Sequence, residues 1–480
     1  MKITNEKILV AIIIIGAILR LAYVPITPID GWETDSTNHA LLTKEIVATN
    51  QIPVNDTLQI GVFIWYPPAY HFLGAFFYSI LPNIQILQII SAIFGIMTLP
   101  LAYLTFKKMA NEKVGLLAAF FLAIYPLHFR LSTTIMTDAT SVFFTFLSLY
   151  AFVLWEKTRK NKYALLLAGV LGLLLLSKFT GFVILGIFFL WKLSIKRGQI
   201  LKFIAVLAMG LLIASPWYLR NYAYSGNPLY FNKGEPTEKS PTQVVIDALR
   251  TNPQQYFVRF WDTVQSESFI QQKGISISLP YVNEILLGYL ALSSVYFLFF
   301  ALGFNKTNEG KLMIIWLLAY AGFSIVFLTS NWGIGYVPRV TTFAIPMFCY
   351  LFAVGANKLL KYKLVFVFLV LTSLMFFAFV GFRLYTGYKN ERNFFPSYDW
   401  IKNNVDDQSV IVSIRGSEVS MFSGKKTSAS FSDKFFGEYK NVYTYGWKKD
   451  IYSLSSCPKN YSCTVVYQDD VSIINKVNNS

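Results

Sequence analysis

Apolar runs separated by short polar stretches dominate the first 386 positions of the chain. Runs able to cross about 30 Å of hydrocarbon fall at 8–29, 84–106, 114–131, 139–155, 163–177, 181–195, 201–217, 282–304, 312–330, 340–357 and 364–385. The runs at 163–177 and 181–195 are short and are separated only by a stretch that includes Lys178 and Thr180. Between 30 and 83 the pattern changes. "STNHALLTKEIVA" reads as a helix, and "WYPPAYHFLGAFFYSILP" is apolar on one side and short, as suits a helix lying in the membrane interface. Residues 218–281 are rich in Tyr, Asn, Gln and Pro and read as a partly helical lid. Beyond 386 the pattern is that of a soluble unit: "SYDWIKNNV" and "GSEVSMFSG" as helices, "SVIVSI" and "CTVVYQ" as strands. The expectation is a polytopic α-helical membrane protein with about 11 transmembrane helices and interfacial helices in the first outer loop. A small C-terminal α/β extracytoplasmic domain follows, with the boundary between 1–386 and 387–480.

Composition agrees. Of 480 residues, 54% are hydrophobic and only 14% charged, against about a quarter charged in soluble domains. The net charge of +16 would suggest a nucleic-acid partner in a soluble chain, but here its placement follows the positive-inside rule. Lys107, Lys108 and Lys113 lie in one loop and Lys157, Arg159, Lys160 and Lys162 in another. Lys192, Lys196, Arg197 and Lys202 form a third group, and Lys358, Lys361 and Lys363 a fourth. All four, with Lys2 and Lys7, fall on one side if the spans alternate. That side is read as cytoplasmic, so the N-terminus is inside and the tail outside a cell membrane. The opposite short loops carry few basic residues: Lys44, Lys178 and Arg339, with Arg130 and Arg220 near span ends. Cys349 sits in an apolar run. Cys457 and Cys463 lie in the tail, where an oxidising exterior would permit a disulfide.

The acids of the outer face carry the candidate chemistry. Asp35 and Asp138 each begin a helix-like run, and an N-cap is the plain role for both. Yet Ser36, Thr37, Thr137 and Thr140 stand beside them and would cap as well. A carboxylate near hydrocarbon costs desolvation and is a functional candidate. Glu33 lies two residues before Asp35. His39, His71 and His128 all map to the outer half, and His39 shares a helical face with Asp35. His39 is read as cavity lining, as a partner of Asp35, or as part of a divalent metal cation site with Asp35 and Asp138. No nucleotide-binding loop, zinc-protease helix or serine elbow occurs.

In order and spacing, "DSTNH", "YPPAYHFLGAFF", "TDATSVFFTFLSLYAF", "LSKFTGF", "SPWYLRNYAYSGNPLY" and "YVPRVTTFAIPMFCYLFAVG" resemble the membrane glycosyltransferases of the C-type fold. The resemblance is to the protein-mannosyltransferase and aminoarabinose-transferase branch, and it covers residues 7 to about 360. It implies transfer of a sugar from a polyprenyl-phosphate carrier (dolichyl or undecaprenyl) to a protein, lipid or glycan acceptor at the outer face. Asp35 matches the family's first-loop acid and Asp138 the acid of the second outer loop. Lys178 matches the basic residue of the next outer loop, and Arg339 the arginine that opens the tenth span. Tyr66 stands where many relatives carry Lys before two prolines, and Ser36 follows Asp35 where an acid often does, leaving Glu33 as the acidic neighbour.

The implied division of labour makes Asp35 the base for the acceptor hydroxyl. Asp138 orients the acceptor or base, or holds a divalent cation. Arg339, Lys178 and Arg220 meet the donor phosphate, and Glu33, His39, Tyr66 and His71 line the cavity. One-step displacement predicts inversion. A lipid-linked polysaccharide polymerase or ligase shares carrier and face, but its essential residues are expected in a late outer loop. A secondary transporter would place its charges at midplane, often within inverted repeats, and no repeat is visible.

Overall fold

The computed structural model describes residues 4–29, 33–195, 199–229, 296, 298–328, 341–360, 363–447, 458 and 461–478. Arg339, most of the expected 218–281 lid and Cys457 lie outside the described residues.

The membrane-embedded part opens with α1 (Asn5–Tyr23). Next come α2 (Glu33–Thr49), α3 (Ala69–Ile80), α4 (Gln85–Met109), α5 (Glu112–Ile124), α6 (Pro126–Leu131), α7 (Asp138–Thr158), α8 (Asn161–Ser177), α9 (Gly181–Ser194) and α10 (Ile200–Ser225). Later helices are α11 (Asn308–Leu328), α12 (Ile345–Leu359) and α13 (Lys363–Arg392). Among the described residues five helical stretches are long and apolar enough to cross a membrane: Asn5–Ile26, Gln85–Met109, Asp138–Thr158, Ile200–Ser225 and Thr342–Leu359. The apolar helices α8 and α9 are shorter.

Two expectations about spans are corrected. The run at 114–131 is not one helix. Pro126 disfavours helical backbone at the residue before it, and Tyr125 is extended at φ −69°, ψ 112°, so α5 ends and α6 starts afresh. The last span does not stop near 385 but runs on to Arg392, bringing the membrane helix directly into the tail.

Packing in the bundle relies on small residues, as expected where lipid offers no hydrophobic drive between helices. A side chain on Gly172 of α8 would come within 2.6 Å of Ile213 of α10, so only glycine lets these two helices touch. The main core joins α4, α5, α7, α8, α9 and α12 through Phe106, Phe121, Phe146, Phe152, Leu171, Phe188 and Phe348. The short α3 is two-faced, as the sequence suggests. Phe72, Phe76 and Ile80 are exposed on one side, while Tyr70, His71, Gly74 and Ala75 are buried on the other.

The tail holds α14 (Phe395–Asn404), β1 (Val410–Val412), α15 (Gly416–Ser423), β2 (Thr427–Ser428) and α16 (Phe435–Glu438), then β3 (Val442–Trp447), β4 (Ser462–Gln468) and β5 (Ser472–Asn478). Its sheet runs β2-β1-β3-β5-β4. β1 is parallel to β2 and β3, while β5 is antiparallel to β3 and β4. Both helices and both strands expected here are present. Strands β2, β3 and β5 were not anticipated. Cys463 is disulfide-bonded and Cys349 is free and buried.

Candidate active site at one end of the bundle

Asp138 and Lys178 come together. Asp138 is the first residue of α7 and is fully buried. Lys178 follows the last turn of α8, and its ammonium donates to Asp138 Oδ1. Helices α7 and α8 are antiparallel neighbours joined by a two-residue turn, so the start of one meets the end of the other. Capping is therefore not the role of Asp138, because the cap position belongs to Thr137, which makes no side-chain cap bond. A carboxylate in the first turn still gains from the helix dipole. Asp35 is corrected in the same sense: α2 begins at Glu33, so Asp35 lies inside its first turn.

The far end of α7 is marked by a second buried ion pair. Lys192 Nζ lies 2.5 Å from Glu156 Oε1, and Arg159 reaches the other oxygen at 2.9 Å. From Asp138 to Glu156 is about 27 Å along a helix rising 1.5 Å per residue, close to the thickness of the hydrocarbon. The two pairs thus sit at opposite ends of one membrane-length helix, and Asp138–Lys178 is at the end away from the basic loops.

Around α2 the structure gathers several of the expected cavity residues. His39, one turn after Asp35, shares a 2.9 Å hydrogen bond between its Nδ1 and Nε2 of His71. The Nδ1 of His71 faces the carbonyl of Pro67 at 3.2 Å. A carbonyl only accepts, so His71 carries its proton on Nδ1, and His39 donates to His71 through its own Nδ1. Burial holds His71 down at about 4, so it is neutral near pH 7. Tyr66 packs edge-on against His39 at 4.7 Å, stacks on Trp65 at 4.6 Å and accepts from Asn38 Nδ2 at 3.3 Å. Asp35, Asn38, His39, Trp65 and Tyr66 thus form one polar and aromatic patch. Trp65 and Asn38 were not singled out in the sequence, although both adjoin residues that were.

Arg220 has a different setting. It stands near the end of α10, and its guanidinium donates to the carbonyls of Ile64 at 2.8 Å and Pro53 at 2.7 Å. It also stacks over Trp217 at 4.5 Å. It clips the 53–64 loop to the bundle, next to the aromatic patch.

One charged residue escaped the sequence reading: Arg20, inside α1 and fully buried. It donates to the carbonyls of Leu122 and Ala123, each at 3.4 Å, and shares a 3.1 Å bond with His128 Nδ1. The cause is Pro126: having no N–H, it cannot serve the carbonyl of Leu122, four residues back. An arginine within an apolar run is the signal that would have found it.

For a metal, the expected donors were Asp35, Asp138 and a histidine. Among the described residues no three His, Cys, Asp or Glu side chains form a group able to hold a metal ion. The Asp138 carboxylate faces Lys178, and His39 Nδ1 bonds His71.

Residues 12–226 match the family model described as dolichyl-phosphate-mannose-protein mannosyltransferase. A search of the curated proteins finds no match. Among solved structures, ArnT from Cupriavidus metallidurans bound to undecaprenyl phosphate is 10% identical, with a TM-score of 0.64 and coverage of 97% of each chain. The chain has the C-type fold of membrane glycosyltransferases. The archaeal oligosaccharyltransferase AglB from Archaeoglobus fulgidus, in complex with an inhibitory peptide and a dolichol-phosphate, is 13% identical. Its TM-score is 0.58, over 92% of this chain and 69% of that one. The Archaeoglobus fulgidus enzyme in complex with Zn and sulfate gives 15%, 0.56, 91% and 67%. The family resemblance read from the motifs is borne out. The family model covers less than half of the chain, and the solved structures are alike in fold.

Proposed function

We propose that the protein transfers a single sugar from a polyprenyl phosphate to an acceptor hydroxyl at the outer face of the cell membrane, inverting the anomeric carbon. The observation that carries this reading is the buried Asp138–Lys178 pair at the end of the bundle away from the basic loops, with Asp35 on the adjoining outer helix.

Asp35 takes the acceptor's proton as its oxygen attacks the anomeric carbon, a contribution typically worth 10²–10⁴-fold. The bond from that carbon to the carrier phosphate breaks, and the departing phosphate gains negative charge. Lys178 supplies fixed positive charge there, where water is scarce and such charge acts strongly. Arg339 is the second cation assigned to the phosphate. Asp138 orients Lys178, and Arg220 braces the loop that carries Trp65 and Tyr66, the surface offered to the sugar. The N-terminus is placed in the cytoplasm and the tail outside by the loop charges. The acceptor is a protein, lipid or glycan.

The test is Asp35→Asn, purified in detergent and assayed for transfer from a short-chain polyprenyl-phosphate sugar. Asn keeps the size and the helix-end hydrogen bonding but not the basicity. Turnover should fall by about 10²-fold or more with donor binding retained. Near-normal transfer would remove Asp35 from the chemistry.

A further inference from the structure

The tail reaches into the candidate site along two routes. The first is a helix contact. Ser417 on α15 accepts a hydrogen bond from Thr37 of α2 at 2.9 Å, and Lys44 of α2 donates to the Met421 carbonyl at 3.5 Å. The Met421 side chain belongs to a buried cluster with Ala40 and Leu41 of α2, Tyr70 of α3, Leu87 and Ile90 of α4, and Ile135. Ile135 is three residues before Asp138.

The second route is a single backbone bridge. The first outer loop adds itself to the tail's sheet beyond β2: Thr427 N–H donates to Leu58 O at 2.7 Å, and Ile60 N–H donates to Thr427 O at 2.8 Å. Between these two contacts Gln59 points back at the site. Its amide donates to Asn38 Oδ1 at 2.9 Å and to Asp56 Oδ2 at 2.8 Å. Asn38 lies one turn after Asp35. A continuous set of bonds therefore runs from β2 through Leu58–Ile60 to the face of α2 that carries Asp35.

We propose that the tail is a positioning element for the transfer reaction, with α15 and the bridged segment 58–60 fixing α2 and thereby Asp35; this rests on the transfer reading above. The helix needs such support. α2 packs against α3 on one side and against α15 on another, both outside the core of the bundle. A base must stay within hydrogen-bond reach of the attacking hydroxyl, and a displacement of about 1 Å costs on the order of 10²-fold in rate. Ser417 and Thr427 touch neither substrate nor reacting atoms, so both are positioning residues.

Two variants of the full chain test this. Thr427→Pro deletes the N–H that bonds Leu58, and with it the hydroxyl that bonds Gly416 O and Ser420, while the carbonyls of Lys426 and Ser428 that accept from β1 stay in place. Ser417→Ala deletes the hydroxyl that accepts from Thr37. In both, amide exchange over residues 33–49 should quicken. Turnover should drop by about tenfold or more in Thr427→Pro and by about threefold in Ser417→Ala. The donor KM should stay within about twofold, because the phosphate partners are untouched. Ser417→Thr, which keeps the hydroxyl, should retain wild-type turnover. Should Thr427→Pro not fold, Ser417→Ala decides alone. Unchanged exchange in α2, or turnover falling only in proportion to lost folded protein, would overturn the positioning role. If the wild type transfers no sugar at all, the transfer reading falls, and the exchange measurement still decides whether the tail holds α2.

Discussion

Lys178→Met and Asp138→Asn, singly and together, separate holding the fold from doing the chemistry. Asp138 is fully buried and Lys178 nearly so, and each is the other's counter-charge. Removing one partner strands a charge in a poorly hydrated site, which typically costs about 3–5 kcal/mol. Removing both takes out both charges of the pair, and such double replacements are often neutral for stability. Each single variant should therefore melt well below the wild type in detergent, and the double variant should recover most of that loss. Transfer should not recover. With Lys178 gone the departing phosphate loses a fixed cation, so turnover should remain about 10²–10³-fold down. The measurements are thermal melts followed by size exclusion, and sugar transfer by each variant at saturating donor. A double variant that regains both stability and transfer would refute the assignment and leave the pair as a structural clasp between α7 and α8.

Arg20→Leu should destabilise the protein by about 1–3 kcal/mol through the Ala123 carbonyl it strands, since Leu122 O keeps the N–H of Tyr125; this is read as a lower melting temperature, with donor KM unchanged. Stability should also depend on His71. Its folded value of about 4 lies below the ordinary 6.5, so the unfolded chain binds the extra proton first as pH falls. The contribution is complete above about 6.5 and lost by about 4, a span worth about 3 kcal/mol. His71→Asn should flatten the fall in melting temperature over that pH range; an unaltered pH profile would show that His71 does not set it.

Much of the architecture was legible in the chain alone, because the bilayer permits few solutions. Backbone groups in hydrocarbon must bond within their own segment, so an apolar run of the right length reads as a helix and loop charge reads as sidedness. The two-faced α3 and the tail's α14, β1, α15 and β4 follow from equally local patterns. Asp35 and Asp138 were visible because an acid beside lipid needs a reason. What the sequence could not supply were partners chosen at long range. Lys178 and Asp138 are forty residues apart and meet only because α7 and α8 fold back on each other. His39 and His71 bond because α3 lies across α2. Arg20 reads as an oddity until α5 ends ahead of Pro126 and presents the carbonyls of Leu122 and Ala123 to it. The bridge at 58–60 has almost no strand signal of its own. It exists because the edge of β2, built more than 360 residues later, offers the backbone partners that this loop lacks. Local pattern fixes which segments bury themselves and in what form, while side-chain and edge pairing depends on which buried surfaces come to share a boundary, and that is decided only when the whole chain packs.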